Sequence, residues 1–320
     1  MNDLSYIINP LEENLKKMLD NAGIYYRIFA RQKGDASISR KLELKASKYR
    51  QNGDKMQDII GIRIVFYFLD DVDIINKHLH NNEYYLSDSD SQKELREYQE
   101  KNRDFDNLTD KIFMPTRLNL IFRMNDNNAN HLKRNLHEIS KPDFDIELID
   151  STYEIQLRTV LSEGWHEVEH DLRYKTKDEQ WWNECSDESR MLNGIYATLE
   201  TSDRAMNQIF STIAYKNYRK GDWSAMLKNH LRIHTIDSKL SDNLVSFLNN
   251  NKDVPKMLIR SDRELVINTL LNFISPLPLK MDNIVFLINR LCDTGNQSEG
   301  LKQMEPVVIK NLFDKQFGKK

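Results

Sequence analysis

The first part of the chain alternates between runs of apolar residues and stretches in which apolar residues recur at helical spacing. β-Branched or alternating runs predict strands at 25–30, 59–68, near 84 and at 117–124. Residues 144–159 predict a strand pair or one long bent strand. Helical spacing predicts helices at 10–21, 37–50, 127–139 and 162–175. Residues 87–110 are highly polar, and we interpret them as a charged helix or loop insertion. Strands that alternate with helices in this way are typical of an α/β domain.

The pattern changes at about residue 178, beyond which no run predicts a strand. Helices are predicted at 191–210, 223–231, 240–248, 263–274, 281–292 and 307–317, with breaks between them that contain Asp, Asn or Pro. We therefore divide the chain into an α/β domain at residues 1–177 and an all-helical C-terminal region at residues 178–320.

Composition narrows the class of protein. The 320 residues are 39% hydrophobic and 30% charged, with a net charge of −3, so any nucleic-acid binding must use a local basic patch. Two cysteines, Cys185 and Cys292, exclude a disulfide scaffold or a cysteine zinc cluster and suit a reducing cytosol. The N-terminus lacks the features of a signal peptide, and no run is long and apolar enough to cross a bilayer. We expect a cytoplasmic protein without membrane contact.

Two predicted strands carry polar groups that a half-buried strand does not need. Glu154, Gln156 and Arg158 alternate with apolar residues, so they share one face of their strand. Far upstream, an apolar run opens on Asp58 and is interrupted by Arg63. Two carboxylates on separate strand segments are what a divalent-metal phosphoryl-transfer site requires.

A basic strand-to-helix junction precedes the Asp58 strand. It offers Arg31, Lys33 and Ser37 near a predicted helix N-terminus, with Lys41 and Lys45 one turn apart on the helix. A helix N-terminus with a hydroxyl and cations nearby suits a polyphosphate. The same residues are also compatible with a solvated basic helix that has a serine cap.

Taken together, these segments resemble the synthetase domain of the RelA/SpoT family over residues 25–176. The matching motifs, in order, are Arg31-x-Lys33-x-x-x-Ser37-Ile38-x-x-Lys41, Asp58-x-x-Gly61-x-Arg63, Glu154-x-Gln156-x-Arg158-Thr159, Trp165, Glu169-His170 and Tyr174-Lys175. The His and Asp-His clusters of the family's hydrolase domain are not found. The resemblance implies a mixed β-sheet of the nucleotidyltransferase type flanked by helices, and an ATP-dependent pyrophosphokinase.

The resemblance also implies roles for the residues. Asp58 and Glu154 would hold Mg²⁺, and Glu154 would orient or deprotonate the attacking 3′-hydroxyl. Arg31 and Arg63 would sandwich the adenine of ATP. The phosphates would lie on Lys33, Ser37, Lys41 and Lys45. Because Asp58 and Arg63 are five residues apart, a regular strand would point them to opposite faces, so either Gly61 permits a bulge or Asp58 precedes the strand.

The acceptor side departs from the family pattern. GDP or GTP is the family default, giving (p)ppGpp in the stringent response. Where the family has a Tyr that stacks on guanine, and a His, this chain has Pro115 and Asn119. A tRNA 3′ end, as in translation-blocking toxins of toxin–antitoxin or phage-defence systems, and an adenine nucleotide therefore stay open as acceptors. The candidate acceptor-side residues are Arg117, Asn119, Gln156, Arg158 and His170.

Three further hypotheses remain at this stage. His166-Glu167-x-x-His170 matches the HExxH pattern of a zinc metalloprotease, although the RelA/SpoT pattern explains these residues without zinc. A catalytically inactive nucleotide-binding module is another alternative. The helical C-terminal region is a candidate for homo-oligomerisation or for binding a regulatory partner.

Overall fold

A computed structural model describes residues 4–50, 53–89, 118–138, 145–169, 185–292 and 298–318. The chain divides into two compact units. Unit 1 comprises residues 1–15 and 26–203, and unit 2 comprises residues 16–25 and 204–320. The predicted domain boundary after residue 177 lies outside the described residues and stays a prediction.

Within the described residues of unit 1, five strands form one mixed sheet. The strands are β1 (Tyr26–Gln32), β2 (Ile60–Phe66), β3 (Tyr85–Asp88), β4 (Leu118–Arg123) and β5 (Thr152–Thr159). Their order is β1-β2-β5-β4-β3, in which only β2 and β5 are parallel neighbours. The predicted α/β class with a mixed sheet is confirmed.

Helices precede, connect and follow these strands. They are α1 (Ser5–Ala22), α2 (Asp35–Leu44), α3 (Leu69–His80), α4 (Asp126–Glu138), α5 (Val160–Glu169) and α6 (Ser186–Lys220). The sequence analysis missed α3, although Val72, Ile75 and Leu79 are buried at helical spacing on it. The strand structure predicted at 144–159 is also too long. Ile146–Leu148 is a short 3₁₀-helix, because the Asp145 side chain accepts a hydrogen bond from the Glu147 amide and closes a turn there.

Alternation along the central strands separates a core face from a polar face. On β2, Ile60, Ile62 and Ile64 are fully buried. The residues between them face the other way, as do the polar residues of β5. Helices α3 and α5 both pack against β2 and β5. The sheet therefore buries one row of side chains and leaves the other row for a site.

The regular secondary structure in the described residues of unit 2 is all helical, as predicted. After α6 come α7 (Trp223–Leu231), α8 (Asp242–Asn250), α9 (Asp253–Ile259), α10 (Arg263–Leu271), α11 (Met281–Leu291), α12 (Glu299–Met304) and α13 (Val307–Phe317). Every residue from Asn283 to Asn289 on α11 is buried, and α11 contacts α9, α10, α12 and α13. A helix that is buried all round forms the centre of a helical bundle. No helix among the described residues has the length and apolar character to cross a membrane.

A hydroxyl–carboxylate contact fixes the turn between β5 and α5. The Thr159 hydroxyl donates to the Asp203 carboxylate of α6 at 2.6 Å, and the Ser162 amide donates to the Thr159 hydroxyl at 3.1 Å. Asp203 is 3% exposed, and its burial raises the pKa of its carboxyl, while the hydrogen bond from Thr159 lowers it. The end of β5 and the start of α5 are thus fixed together.

Replacing Thr159 with Val should destabilise the full chain by roughly 1–3 kcal/mol, because the buried Asp203 carboxylate loses a donor. Urea denaturation measures the change in the free energy of unfolding. Thr201→Val is the matched control, since the exposed Thr201 hydroxyl only donates to the Ala197 carbonyl within α6. We expect the control to stay within about 0.5 kcal/mol of the unsubstituted protein. Equal effects of the two substitutions would contradict the assigned role of the contact.

Candidate active site

The polar face of the sheet opens onto a cleft with two lobes. The main lobe has a volume of about 300 Å³ and the side lobe about 360 Å³. Both lobes are lined by Arg31, Lys33, Asp58, Arg63, Glu154, Gln156 and Glu167. Because the lobes share these walls, we treat them as one site.

Asp58 lies between two lysines at one wall of the cleft. Lys33, just beyond β1, and Lys41, on α2, each donate to Asp58 Oδ2 at 2.6 Å. The other oxygen, Oδ1, is buried and has no hydrogen-bond partner. Asp58 precedes β2, which starts at Ile60 and pairs without a register shift. The expectation that Asp58 precedes the strand is therefore correct, and a bulge at Gly61 is not present.

Charge keeps this carboxylate ionised. Burial alone would raise the pKa of Asp58, but the charges and hydrogen bonds of Lys33 and Lys41 lower it to about 2. For Lys33, burial outweighs the attraction of Asp58 and lowers its pKa. Burial also lowers the pKa of Lys41, but the charge of Asp58 and its hydrogen bond outweigh burial, so the pKa of Lys41 is raised. At neutral pH, Asp58 is an anionic oxygen donor whose negative charge faces two cations.

Glu154 is held by amide donors on two strands. Asn119 Nδ2 on β4 donates to Glu154 Oε1 at 3.0 Å, and Gln156 Nε2 donates to Glu154 Oε2 at 2.7 Å. Arg158 Nη2 in turn donates to Asn119 Oδ1 at 2.7 Å, and its Nη1 donates to the Leu157 carbonyl at 2.8 Å. Asn119, Glu154 and Arg158 are each less than a tenth exposed. The carboxylate therefore has a fixed orientation and keeps further acceptor capacity on both oxygens.

Arg63 extends this network toward α5. Its Nε donates to Gln156 Oε1 at 3.1 Å, and its Nη1 donates to Glu163 Oε1 at 2.6 Å and to Glu167 Oε1. Burial opposes the charge on Arg63, but its hydrogen bonds and ion pairs with the two glutamates raise its pKa. A continuous series of hydrogen bonds thus runs from Arg158 through Asn119, Glu154, Gln156 and Arg63 to the glutamates of α5.

The structure brings most of the candidate residues to this cleft. Those that line it are Arg31, Lys33, Lys41, Lys45, Asp58, Arg63, Asn119, Glu154, Gln156 and Arg158. Ser37 does not line either lobe; it lies in the first turn of α2, where its amide bonds to the Gly34 carbonyl. Arg117 and His170 lie outside the described residues. The roles assigned to all these residues stay predictions.

Several lining residues escaped the sequence analysis. In the main lobe they include Tyr49, Lys55, Gln57 and Ser89, and in the side lobe Phe29 and Ile59. Lys55 and Gln57 lie just before Asp58, a proximity that offered a signal. Phe29 lies two residues before Arg31 on β1, so strand alternation places both on one face. Ser89 gave no signal, because only the sheet order brings the end of β3 to the cleft.

The donor set fits Mg²⁺. The described residues contain no group of three His, Cys, Asp or Glu side chains placed to hold a metal ion. Mg²⁺ commonly binds through one or two carboxylates together with substrate phosphates. Asp58 Oδ1 has no partner, and each Glu154 oxygen accepts a single hydrogen bond from the protein groups named above. Within the HExxH pattern, Glu167 is paired with Arg63, and His170 is not among the described residues.

Comparison with known proteins identifies one family region in this chain. Residues 30–179 match the model of a region found in RelA / SpoT proteins. We refer to this region as the RelA/SpoT domain. The family supports a pyrophosphokinase activity and leaves the acceptor undetermined. No curated protein matches the chain.

Solved structures similar to this chain include two proteins from Bacillus subtilis and one from Streptococcus mutans UA159. Small alarmone synthetase 2 from B. subtilis is 20% identical, with 64% of this chain and 93% of that chain covered and a TM-score of 0.41. Small alarmone synthetase 1 from B. subtilis, bound to its product pppGpp, is 20% identical, with 64% and 90% covered and a TM-score of 0.40. The protein smu.1046c from S. mutans is 19% identical, with 64% and 91% covered and a TM-score of 0.41.

Replacing Arg158 with Lys should destabilise the RelA/SpoT domain by roughly 1–3 kcal/mol. Arg158 reaches the Asn119 side chain with Nη2 and the Leu157 carbonyl with Nη1, and lysine has a single nitrogen in place of these two. Urea denaturation measures the loss. Arg134→Lys on the exposed face of α4 is the control, and we expect no change beyond about 0.5 kcal/mol. If Arg158→Lys is as stable as the control, the hydrogen bonds of Arg158 do not contribute measurably to the stability of the domain.

Proposed function

We propose that the RelA/SpoT domain transfers the β,γ-pyrophosphate of ATP to the ribose 3′-hydroxyl of GDP or GTP, giving (p)ppGpp. The observation that carries this proposal is the pairing of two carboxylates with different surroundings in one cleft. Asp58 lies between two lysines and has an oxygen without a partner, whereas Glu154 is oriented by two amides. Such a pair suits one group that binds a cation and one that accepts a proton.

The reaction is a displacement at the β-phosphorus of ATP. The 3′-oxygen forms a bond to that phosphorus, the bond between the phosphorus and the oxygen bridging it to the α-phosphorus breaks, and AMP leaves with the bridging oxygen. Glu154 accepts the proton of the 3′-hydroxyl, and its fixed orientation reduces the reorganisation needed for the transfer. Hydrogen bonds from Asn119 and Gln156 hold this carboxylate toward the cleft.

Cations of the cleft would bind the triphosphate. Lys33, Lys41, Lys45 and Arg31 all line the main lobe. The amines of Lys33 and Lys41 can donate to phosphate oxygens while they remain next to Asp58, because each carries three N–H donors. Electrostatic stabilisation of this kind contributes most of the catalysis in phosphoryl transfer.

Mg²⁺ would be held by Asp58 and Glu154. When bound, it neutralises charge that develops on the phosphate oxygens. The buried Asp58 Oδ1 has no hydrogen-bond partner and is available as a ligand for the cation.

A nucleoside polyphosphate is favoured as the acceptor by a positive charge in the lobe that contains Glu154. Lys55 lines the same lobe as Asn119 and Glu154 and is not among the cations assigned to ATP, so it is available for a 5′-diphosphate or 5′-triphosphate. The 3′ end of a tRNA offers only single phosphodiester charges. It remains the second candidate, because Asn119 stands where the family has His and is bonded to Glu154 and Arg158.

The enzymatic proposal is tested with ATP labelled at the γ-phosphate, Mg²⁺, and GDP, GTP, further ATP or bulk tRNA in separate reactions. We expect labelled product and stoichiometric AMP with GDP or GTP. Glu154→Gln should lower kcat by on the order of 10²–10⁴, the usual contribution of a general base. The exposed Glu147→Gln is the matched control and should match the unsubstituted enzyme.

Each outcome of that assay has a definite meaning. Transfer to tRNA instead of GDP or GTP would replace the proposed acceptor and make the protein a translation-blocking enzyme with the same chemistry. Transfer to a second ATP would assign an adenine nucleotide as the acceptor. No transfer to any acceptor, or full activity in Glu154→Gln, would overturn the catalytic proposal and favour an inactive binding module.

Removal of divalent cations with EDTA should abolish transfer, and added Mg²⁺ should restore it. Asp58→Asn should lower kcat by at least about 100-fold, since the neutral amide removes the charge that holds the cation beside the phosphates. Isothermal titration of Mg²⁺ with the non-transferable α,β-methylene analogue of ATP gives the cation affinity directly. Wild-type cation affinity in Asp58→Asn would show that this residue does not hold the metal.

We place this activity in the cytoplasm, where ATP and GTP are available, and in the stringent response. We also propose that the helical C-terminal region forms a homo-oligomer or binds a regulatory partner. Multi-angle light scattering of the full chain tests the first of these: a single protomer mass over the concentrations used in the activity assay would exclude it.

A further inference from the structure

The side lobe has apolar surfaces that a polyphosphate does not need. Phe29, Ile59 and Gly61 line it together with Arg31 and Arg63. The ring of Phe29 is 55% exposed, and Phe29 is the direct cross-strand partner of Arg63. A side chain on Gly61 would project into open space, so glycine keeps this part of the lobe free. A slot with apolar walls and a guanidinium suits a flat aromatic ring.

The guanidinium of Arg63 is held along its edge. Its Nε and Nη1 groups donate to Gln156 on β5 and to Glu163 and Glu167 on α5. Hydrogen bonds of a guanidinium lie in its plane, so these contacts leave its two faces for stacking. Acceptors on two different elements also prevent the group from rotating about its side chain. The ion pairs thus set the direction in which each face points.

Glu163 and Glu167 have no evident role in binding phosphate. Both are carboxylates in a cleft that would hold a highly charged anion, so they oppose phosphate binding by charge alone. Their side chains are 19% and 54% exposed, and both contact the same nitrogen of Arg63. Their unfavourable charge calls for a compensating function, and the contact with Arg63 supplies one.

We propose that Glu163 and Glu167 are positioning residues for the donor nucleotide: they hold Arg63 by its edge so that one face of the guanidinium stacks on the base of ATP. The inference rests on the proposed binding of ATP and adds the two glutamates to it. The glutamate of the HExxH pattern is thereby assigned to nucleotide binding through Arg63. Neither glutamate touches the reacting atoms.

The test separates the base of the ligand from its phosphates. Titration calorimetry on the full chain with Mg²⁺ gives dissociation constants for α,β-methylene ATP and for inorganic tripolyphosphate, which has no base. In the double variant Glu163→Ala/Glu167→Ala, we expect the dissociation constant for the ATP analogue to rise about tenfold, within the range of a cation–π contact. Tripolyphosphate should bind within about twofold of wild type, or more tightly, because two negative charges are removed.

Three control variants test whether the loss of affinity for the ATP analogue acts through Arg63. Arg63→Ala should cause the same loss, and adding it to the double variant should cause little further loss, since groups that act as a unit are not additive. Glu163→Gln/Glu167→Gln keeps the acceptor oxygens and should keep most of the affinity for the ATP analogue. Glu83→Ala, at an exposed position that lines neither lobe, should bind both ligands as wild type does.

Two results would overturn the inference. The first is unchanged affinity for the ATP analogue in the double alanine variant. The second is an equal loss of affinity for the ATP analogue and for tripolyphosphate, which would indicate a general structural role of the glutamates. Because the ATP analogue cannot react, the measurement is independent of turnover. If the wild-type protein binds the analogue but transfers no label from ATP to any acceptor, the proposed reaction is wrong, and the binding measurements still decide the positioning role. If wild type does not bind it, both proposals are wrong.

Discussion

The parallel pairing of β2 with β5 determines which side chains can meet in the cleft. The register places Gly61 opposite Glu154 and Arg63 opposite Gln156, while β4 places Asn119 opposite Gln156 from the other side. Because side chains alternate faces, a slip of one residue would turn these polar groups into the core and the isoleucines of β2 out of it. The hydrophobic face of the sheet therefore fixes the polar face, and the catalytic arrangement depends on the same register as stability does.

Two carboxylates of the cleft, Asp58 and Glu154, differ in their hydrogen-bond and ion-pair partners. Asp58 lies between two lysines, and their charges keep it ionised although burial favours the protonated form. An isolated carboxylate in the same place would not have this compensation for its lost hydration. Glu154 instead accepts hydrogen bonds from neutral amides. This asymmetry between two acids in one cleft supports the proposed roles, in which both carboxylates hold the cation and Glu154 alone also accepts the proton.

Helix α5 connects the packing of unit 1 to the cleft. Its first turn is fixed by the contacts among Thr159, Ser162 and Asp203, and its next turns carry Glu163 and Glu167 to Arg63. A change in the position of α5 would therefore be transmitted to Arg63 through ion pairs rather than through the backbone of β2. The glutamates thus connect the side lobe to a helix that lies outside the sheet.

The sequence alone determined the elements whose signals are local. Hydrophobic patterning predicted the α/β class and the helical C-terminal region. Alternation on β5, the carboxylate at the start of the β2 run and the ordered motifs predicted both carboxylates at the central strands and most of the cations of the cleft. Tertiary structure decided the rest, because it depends on which strands are neighbours. Arg158 bonds Asn119 and Arg63 bonds Glu163 only because β4, β5, β2 and α5 are brought together from distant parts of the chain. Ser89 joined the site for the same reason: periodicity shows which face a residue occupies, but not which other residues share the space in front of it.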